Sequence, residues 1–81
     1  MKEKILVVDD ERAILDLIRD ELTDAGMIVT TASSGEEALD HLAGSSFDLV
    51  ILDIMLGGIS GLEVCRRVRQ TVLCPILLLS A

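Results

Sequence analysis

Leu49-Val50-Ile51-Leu52-Asp53 is an unbroken apolar run that ends in a single carboxylate. Such a run reads as a strand buried on both faces, the habit of parallel sheets in α/β domains. Asp53 then stands at the carboxyl end of the strand, the edge of an open α/β sheet where ligands bind. Gly57, Gly58 and Gly61 come next and mark a loop before another helix. A second run of the same kind, Ile5-Leu6-Val7-Val8, ends in Asp9-Asp10. Two buried strands, each closing on acid, set the terms for the rest of the chain.

Outward from these runs, strands and helices alternate. The first strand covers Lys4 to Val8, and Asp9-Asp10-Glu11 is placed to cap the first helix, because side-chain oxygens and negative charge suit a helix N-terminus. Ile14, Leu15, Ile18, Leu22 and Ala25 recur at helical spacing and predict an amphipathic helix over Arg12–Ala25, with Gly26 as a left-handed stop. Met27 to Thr31 is a strand, more polar at its end and so nearer an edge. Ser34 and Glu37 make a capping-box pair ahead of a short helix buried through Ala38, Leu39 and Leu42 and ending near Gly44. The Asp53 strand starts at Phe47 or Asp48. Ser60 and Glu63 form a second capping box, opening a helix with Leu62, Val64, Cys65 and Val68 inward and Arg66, Arg67 and Arg69 outward. Pro75 sets the start of a fourth strand, Ile76–Leu79. The order βαβαβαβ implies α/β architecture, a doubly wound parallel sheet with right-handed crossovers.

Composition bounds the function. At 81 residues the chain is at most one domain, residues 1–81. Phe47 is the only aromatic residue, so the core is aliphatic. The net charge of −7 argues against direct binding of nucleic acid or an anionic membrane, both of which need a basic patch. It suits a divalent cation. Cys65 and Cys74 lack metal-site spacing and read as reduced, largely buried thiols of a cytoplasmic protein. No signal peptide and no apolar run of membrane-spanning length is present.

With strand order 2-1-3-4, chain direction reverses between strands one and three, and Asp9, Asp10 and Asp53 meet at that switch point. Three crowded carboxylates repel and raise one another's pKa. A hard divalent cation relieves the conflict, and Mg²⁺ fits best: it takes oxygen ligands and keeps several waters. It also neutralises a phosphoryl group that a carboxylate would otherwise be slow to attack. The plainer alternative is that Asp9 and Asp10 only cap the first helix. Ser80 closes the fourth strand at the same edge, where its hydroxyl could reach a phosphoryl oxygen. His41 reads as a solvated helix residue.

The stretches ILVVDDE, SSGEEAL, LVILDIML, the glycine eight residues after Asp53, and LLLSA together resemble the receiver domain of bacterial response regulators, along all 81 residues. The resemblance implies a flavodoxin-like receiver fold in which Asp53 is the phosphoacceptor for a sensor histidine kinase. It implies Asp10 as a direct Mg²⁺ ligand, Asp9 as a ligand through water, and Met55 as donor of a backbone carbonyl to the metal. Ser80 matches the switch hydroxyl and Ala81 the small residue beside it. The domain would be no conventional enzyme, only a partner in its own phosphotransfer and autodephosphorylation. Many relatives carry a DNA-binding domain after the receiver, so control of transcription is the implied output of the parent protein.

Two features depart from the family. Gly57 stands where a proline is usual, four residues after the acceptor. Family members run to about 120 residues, and this sequence stops after the fourth strand, without the lysine that usually ends a fifth. The expectation is an incomplete receiver, truncated after strand four. Strand four would then be an apolar open edge that favours homo-oligomers, by edge pairing or swapped elements. A different reading keeps the receiver fold as an interaction or oligomerisation module that is never phosphorylated. An aspartyl-phosphate phosphatase would want a second Asp at Met55, and a nucleotide-binding domain would want a glycine-rich loop where Asp9-Asp10-Glu11 stands.

Overall fold

The two acid-ending runs are strands, side by side at the centre of a parallel sheet. The computed structural model describes residues 2–70 and 74–79. Its elements are β1 (Lys4–Val8), α1 (Arg12–Asp24), β2 (Ile28–Ala32), α2 (Gly35–Gly44), β3 (Leu49–Asp53), α3 (Gly61–Arg69) and β4 (Ile76–Leu79). The strand order is β2-β1-β3-β4, as the doubly wound reading expects, and all three pairings are parallel. In the central pair Ile5 stands opposite Leu49 and Val8 opposite Leu52.

Alternation along β1 and β3 feeds two cores. Leu6, Val8, Val50 and Leu52 point to one face, where Ala38 of α2, Val64 and Val68 of α3, and Phe47 close over them. Ile5, Val7 and Ile51 point to the other face, where Leu15 of α1 packs, flanked by Ile18 and Leu22. Helices on opposite faces result from crossovers of one hand that step first to one side of β1 and then to the other.

Several local expectations shift. β2 starts one residue later than the sequence pattern predicts, because α1's terminal turn uses Met27: its N–H donates to the Leu22 carbonyl at 3.1 Å. Gly26, at φ +94°, supplies the left-handed residue there. Along α1, Ile14 is exposed and so is Ala25; the stripe that meets the sheet narrows to Leu15, Ile18 and Leu22. Leu62, expected inside, is exposed, and α3 packs through Val64 and Val68 instead. Cys65 and Cys74 are free thiols, only partly buried against the first core.

The capping pairs are half-formed. Ser34 Oγ accepts from the Glu37 N–H at 3.1 Å, and Ser60 Oγ from the Glu63 N–H at 3.2 Å. The return bonds go elsewhere. The Glu37 carboxylate accepts from the Ser33 N–H and hydroxyl, one residue further out. The Glu63 carboxylate accepts from Arg66 and Arg67, which hold its pKa below the ordinary carboxylate value. Two guanidinium groups within helical reach outcompete a single backbone N–H.

Candidate functional site

The carboxyl ends of β1 and β3 bring Asp9, Asp10 and Asp53 together. One carboxylate oxygen from each lies within 4.8 Å of the other two, the arrangement expected at the switch point. Asp9 is the buried member, with 3 % of its surface exposed; Asp53 is half-buried and Asp10 exposed. The backbone holds both strand-end acids. Asp9 Oδ1 accepts from the Glu11 N–H at 2.9 Å, and Asp53 Oδ1 from the Met55 N–H at 3.0 Å.

Burial pushes the Asp9 carboxyl above its ordinary pKa. The Glu11 N–H opposes that rise, and the charges of Asp53 and Asp10 add to it. Helix capping does not explain Asp9. α1 begins after Glu11 with no side-chain cap, and the bond Asp9 accepts comes from Glu11 itself, ahead of the first turn.

The donor set fits a hard divalent cation. It offers carboxylate oxygens alone, with no sulfur or imidazole among them, and oxygen-only sets suit Mg²⁺ or Ca²⁺ over softer metals. Asp9, Asp10 and Asp53 are the residues that would hold it.

Main-chain contacts frame this cluster. The Asp9 N–H donates to the Ala32 carbonyl at 3.1 Å, and the Ile54 N–H to the Leu79 carbonyl at 3.0 Å. The Gly61 N–H donates to the Ile54 carbonyl at 3.0 Å, closing the loop after Asp53. A Cβ on Gly61 would run into the Asp53 carbonyl oxygen and stand 2.6 Å from Ile54 Cα. Glycine is therefore required there to let α3 start against the end of β3. Ala32 and Leu79 act through their carbonyls, and no side-chain pattern in the sequence could reveal them. Met55 lies in the turn just beyond Asp53 and is 68 % exposed. Ser80 and Ala81 lie outside the described residues.

An open parallel sheet, doubly wound, with its acids gathered at the switch point, is the α/β architecture whose ligands bind at the carboxyl edge of the strands. The sequence matches the response regulator receiver domain family over residues 5–81, and the chain belongs to that family. It is 49 % identical to the alkaline phosphatase synthesis transcriptional regulatory protein PhoP of Bacillus subtilis, across all of this chain and 34 % of that protein. It is 47 % identical to the transcriptional regulatory protein AfsQ1 of Streptomyces coelicolor, across 95 % of this chain and 34 % of that one. The chain thus spans about a third of the length of these relatives. Among solved structures it is similar to the response regulator TrrA of Thermotoga maritima in complex with Mg²⁺–BeF, with TM-score 0.92 and 49 % identity over the whole chain and 70 % of that structure. The chemotaxis response regulator CheY4 of Vibrio cholerae superposes with TM-score 0.94 at 34 % identity, over 96 % of this chain and 68 % of that one. Among the described residues no helix is long and apolar enough to cross a membrane.

Proposed function

We propose that the chain, read as the receiver unit of a two-component response regulator, accepts a phosphoryl group on Asp53 from the phosphohistidine of a sensor histidine kinase. The observation that carries this is the meeting of three carboxylates at the ends of β1 and β3. In the transfer the P–N bond to the imidazole breaks, the nitrogen keeps the electron pair, and a P–O bond forms to an Asp53 carboxylate oxygen. Asp53 Oδ1 is held by the Met55 N–H, which leaves the other oxygen as nucleophile. Mg²⁺, held by Asp9, Asp10, Asp53 and the Met55 carbonyl, would supply charge neutralisation between the acids and the phosphoryl oxygens. Ser80 is assigned the switch hydroxyl, by its resemblance to the family residue at that place. Hydrolysis of the acyl phosphate by water returns the resting carboxylate.

The transcriptional output is a proposal for the whole protein, and it rests on relatives described as transcriptional regulatory proteins. The complex of TrrA with Mg²⁺–BeF supports the metal assignment. The test is intact mass after incubation with Mg²⁺ and acetyl phosphate. A Mg²⁺-dependent gain of one phosphoryl group, lost in Asp53→Asn, is the expected result; no gain from folded protein refutes it.

Exposed Leu77 and Leu78 on the outer strand β4 favour a second reading, in which the chain associates with a second copy along that strand. In this reading the chain is an interaction module that is not phosphorylated, so light scattering over a concentration series and intact mass together distinguish the two: it expects a mass that rises with concentration and no phosphoryl gain.

A further inference from the structure

The acid pocket has two walls that belong to different parts of the chain. One is the end of β1 with Asp9. The other is the loop from Ile54 to Ser60, just after Asp53. The stretch Ala32–Glu36, from the last residue of β2 into the first turn of α2, touches both. On one side the Ala32 carbonyl accepts the Asp9 N–H. On the other, Gly35 and Glu36 lie against the loop. A Cβ on Gly35 would stand 3.2 Å from the Ile59 carbonyl oxygen and 2.6 Å from Val64 Cγ2. A Cβ on Gly58, whose φ is +75°, would stand 3.1 Å from Glu36 Oε2.

The connection is hydrogen-bonded within itself. Ser34 Oγ accepts the Glu37 N–H, and the Glu37 carboxylate reaches back to the N–H and hydroxyl of Ser33. The loop is tied at its ends, by Met55 N–H to Asp53 Oδ1 and by Gly61 N–H to the Ile54 carbonyl. Its middle, Gly58-Ile59, is where α2 leans on it.

We propose that Gly35 and Glu36 are positioning residues for the acid pocket. The first turn of α2 braces the loop after Asp53 and, through Ala32, holds that brace in fixed relation to Asp9. The functional part of this rests on the phosphoacceptor reading above. A braced loop presents Asp53 and Met55 already ordered. An unbraced loop must be ordered when the ion binds, and ordering one residue corresponds to about tenfold in affinity.

The test uses Gly35→Ala, Glu36→Ala and Glu36→Gln, with Gly26→Ala as control. Gly26 lies at the opposite end of the sheet, and a residue with Cβ is strained at its φ of +94°, so this variant loses stability away from the pocket. Two quantities are read: amide hydrogen exchange of Ile54–Ser60 without metal, and Mg²⁺ affinity by calorimetry. Gly35→Ala and Glu36→Ala speed exchange in the loop and weaken Mg²⁺ binding, by about tenfold for Gly35→Ala. Glu36→Gln, which keeps the shape over Gly58, stays near wild type.

Unchanged loop exchange and Mg²⁺ affinity in Gly35→Ala and Glu36→Ala would overturn the proposal. So would equal changes in Gly26→Ala at a matched loss of stability, since the effect would then be merely structural. If Gly35→Ala does not fold, Glu36→Ala, at an exposed helix position, decides alone. If wild type binds no Mg²⁺, the phosphoacceptor reading falls, and loop exchange in the two alanine variants still decides the bracing.

Discussion

Gly61→Ala puts the greatest strain on the least yielding part of the molecule. The added methyl would lie 2.6 Å from Ile54 Cα and closer still to the Asp53 carbonyl oxygen. Carbon atoms settle at about 3.5–4.0 Å, so α3 must retreat by about 1 Å. Both clashing groups are backbone, and the Ile54 N–H is bonded to the Leu79 carbonyl, so β3 cannot give way instead. Retreat loosens buried Val64 and Val68 and stretches the Gly61 N–H bond to the Ile54 carbonyl. Forced overpacking costs about 1–3 kcal/mol. A weakened backbone bond adds about 1 kcal/mol. Better helix propensity of alanine returns up to about 1 kcal/mol. The net is about 1–4 kcal/mol, which at about 4–8 °C per kcal/mol lowers the Tm of a domain of this size by roughly 4–30 °C. Urea and thermal melts monitored by far-UV circular dichroism measure it, with Gly44→Ala as control. Gly44 ends α2 with nothing within 4 Å of its Cβ position, so that variant stays within about 0.5 kcal/mol of wild type. A Gly61→Ala melt indistinguishable from the control would refute the close-approach argument.

Asp9→Asn stabilises the metal-free chain at neutral pH, because it removes a desolvated charge and two repulsions. The sign is set by a folded pKa above the ordinary 3.8: the folded state holds this proton more tightly, so metal-free stability falls as pH rises through that window. The advantage of the variant therefore disappears below pH 3.8, as paired melts across pH would show. Mg²⁺ at a hundred times its dissociation constant raises wild-type stability by about 2.7 kcal/mol. Asp10→Asn loses most of that rise in the same melts, and an unchanged rise would remove Asp10 from the ligand set. Leu77→Lys, at an exposed position on β4, shifts any self-associated chain toward monomer in sedimentation velocity. An unaltered distribution would move the contact elsewhere.

The fold was largely legible because β1 and β3 are short and apolar, and both stop at acid. Buried parallel strands alone produce that pattern so compactly, and the helices between them leave few topologies. The acid cluster was legible for the same reason, since residues at strand ends go where the sheet takes them. Periodicity was less informative about depth. It places Ile14 and Leu62 on apolar stripes, but burial depends on what stands opposite, and nothing among the described residues covers either fully. Serines at helix starts were readable as caps, whereas the partners of Glu37 and Glu63 depended on side-chain competition that spacing does not encode. Contacts made through main chain, such as Ala32 with Asp9 and Gly35 with Ile59, carry no signature in residue type beyond the glycine itself.

The pairing of Val8 with Leu52 has a consequence for how such a site can change over time. Asp9 and Asp53 each come one residue beyond that rung, so they share a face by counting rather than by attraction. Deleting or adding a single residue within either strand would turn one carboxylate to the far side of the sheet. Loops such as that between α2 and β3 are under no such constraint. Length variation is tolerable in such a loop, but along the few residues from Ile5 to Asp9 and from Leu49 to Asp53 the reading frame of the ladder is the site.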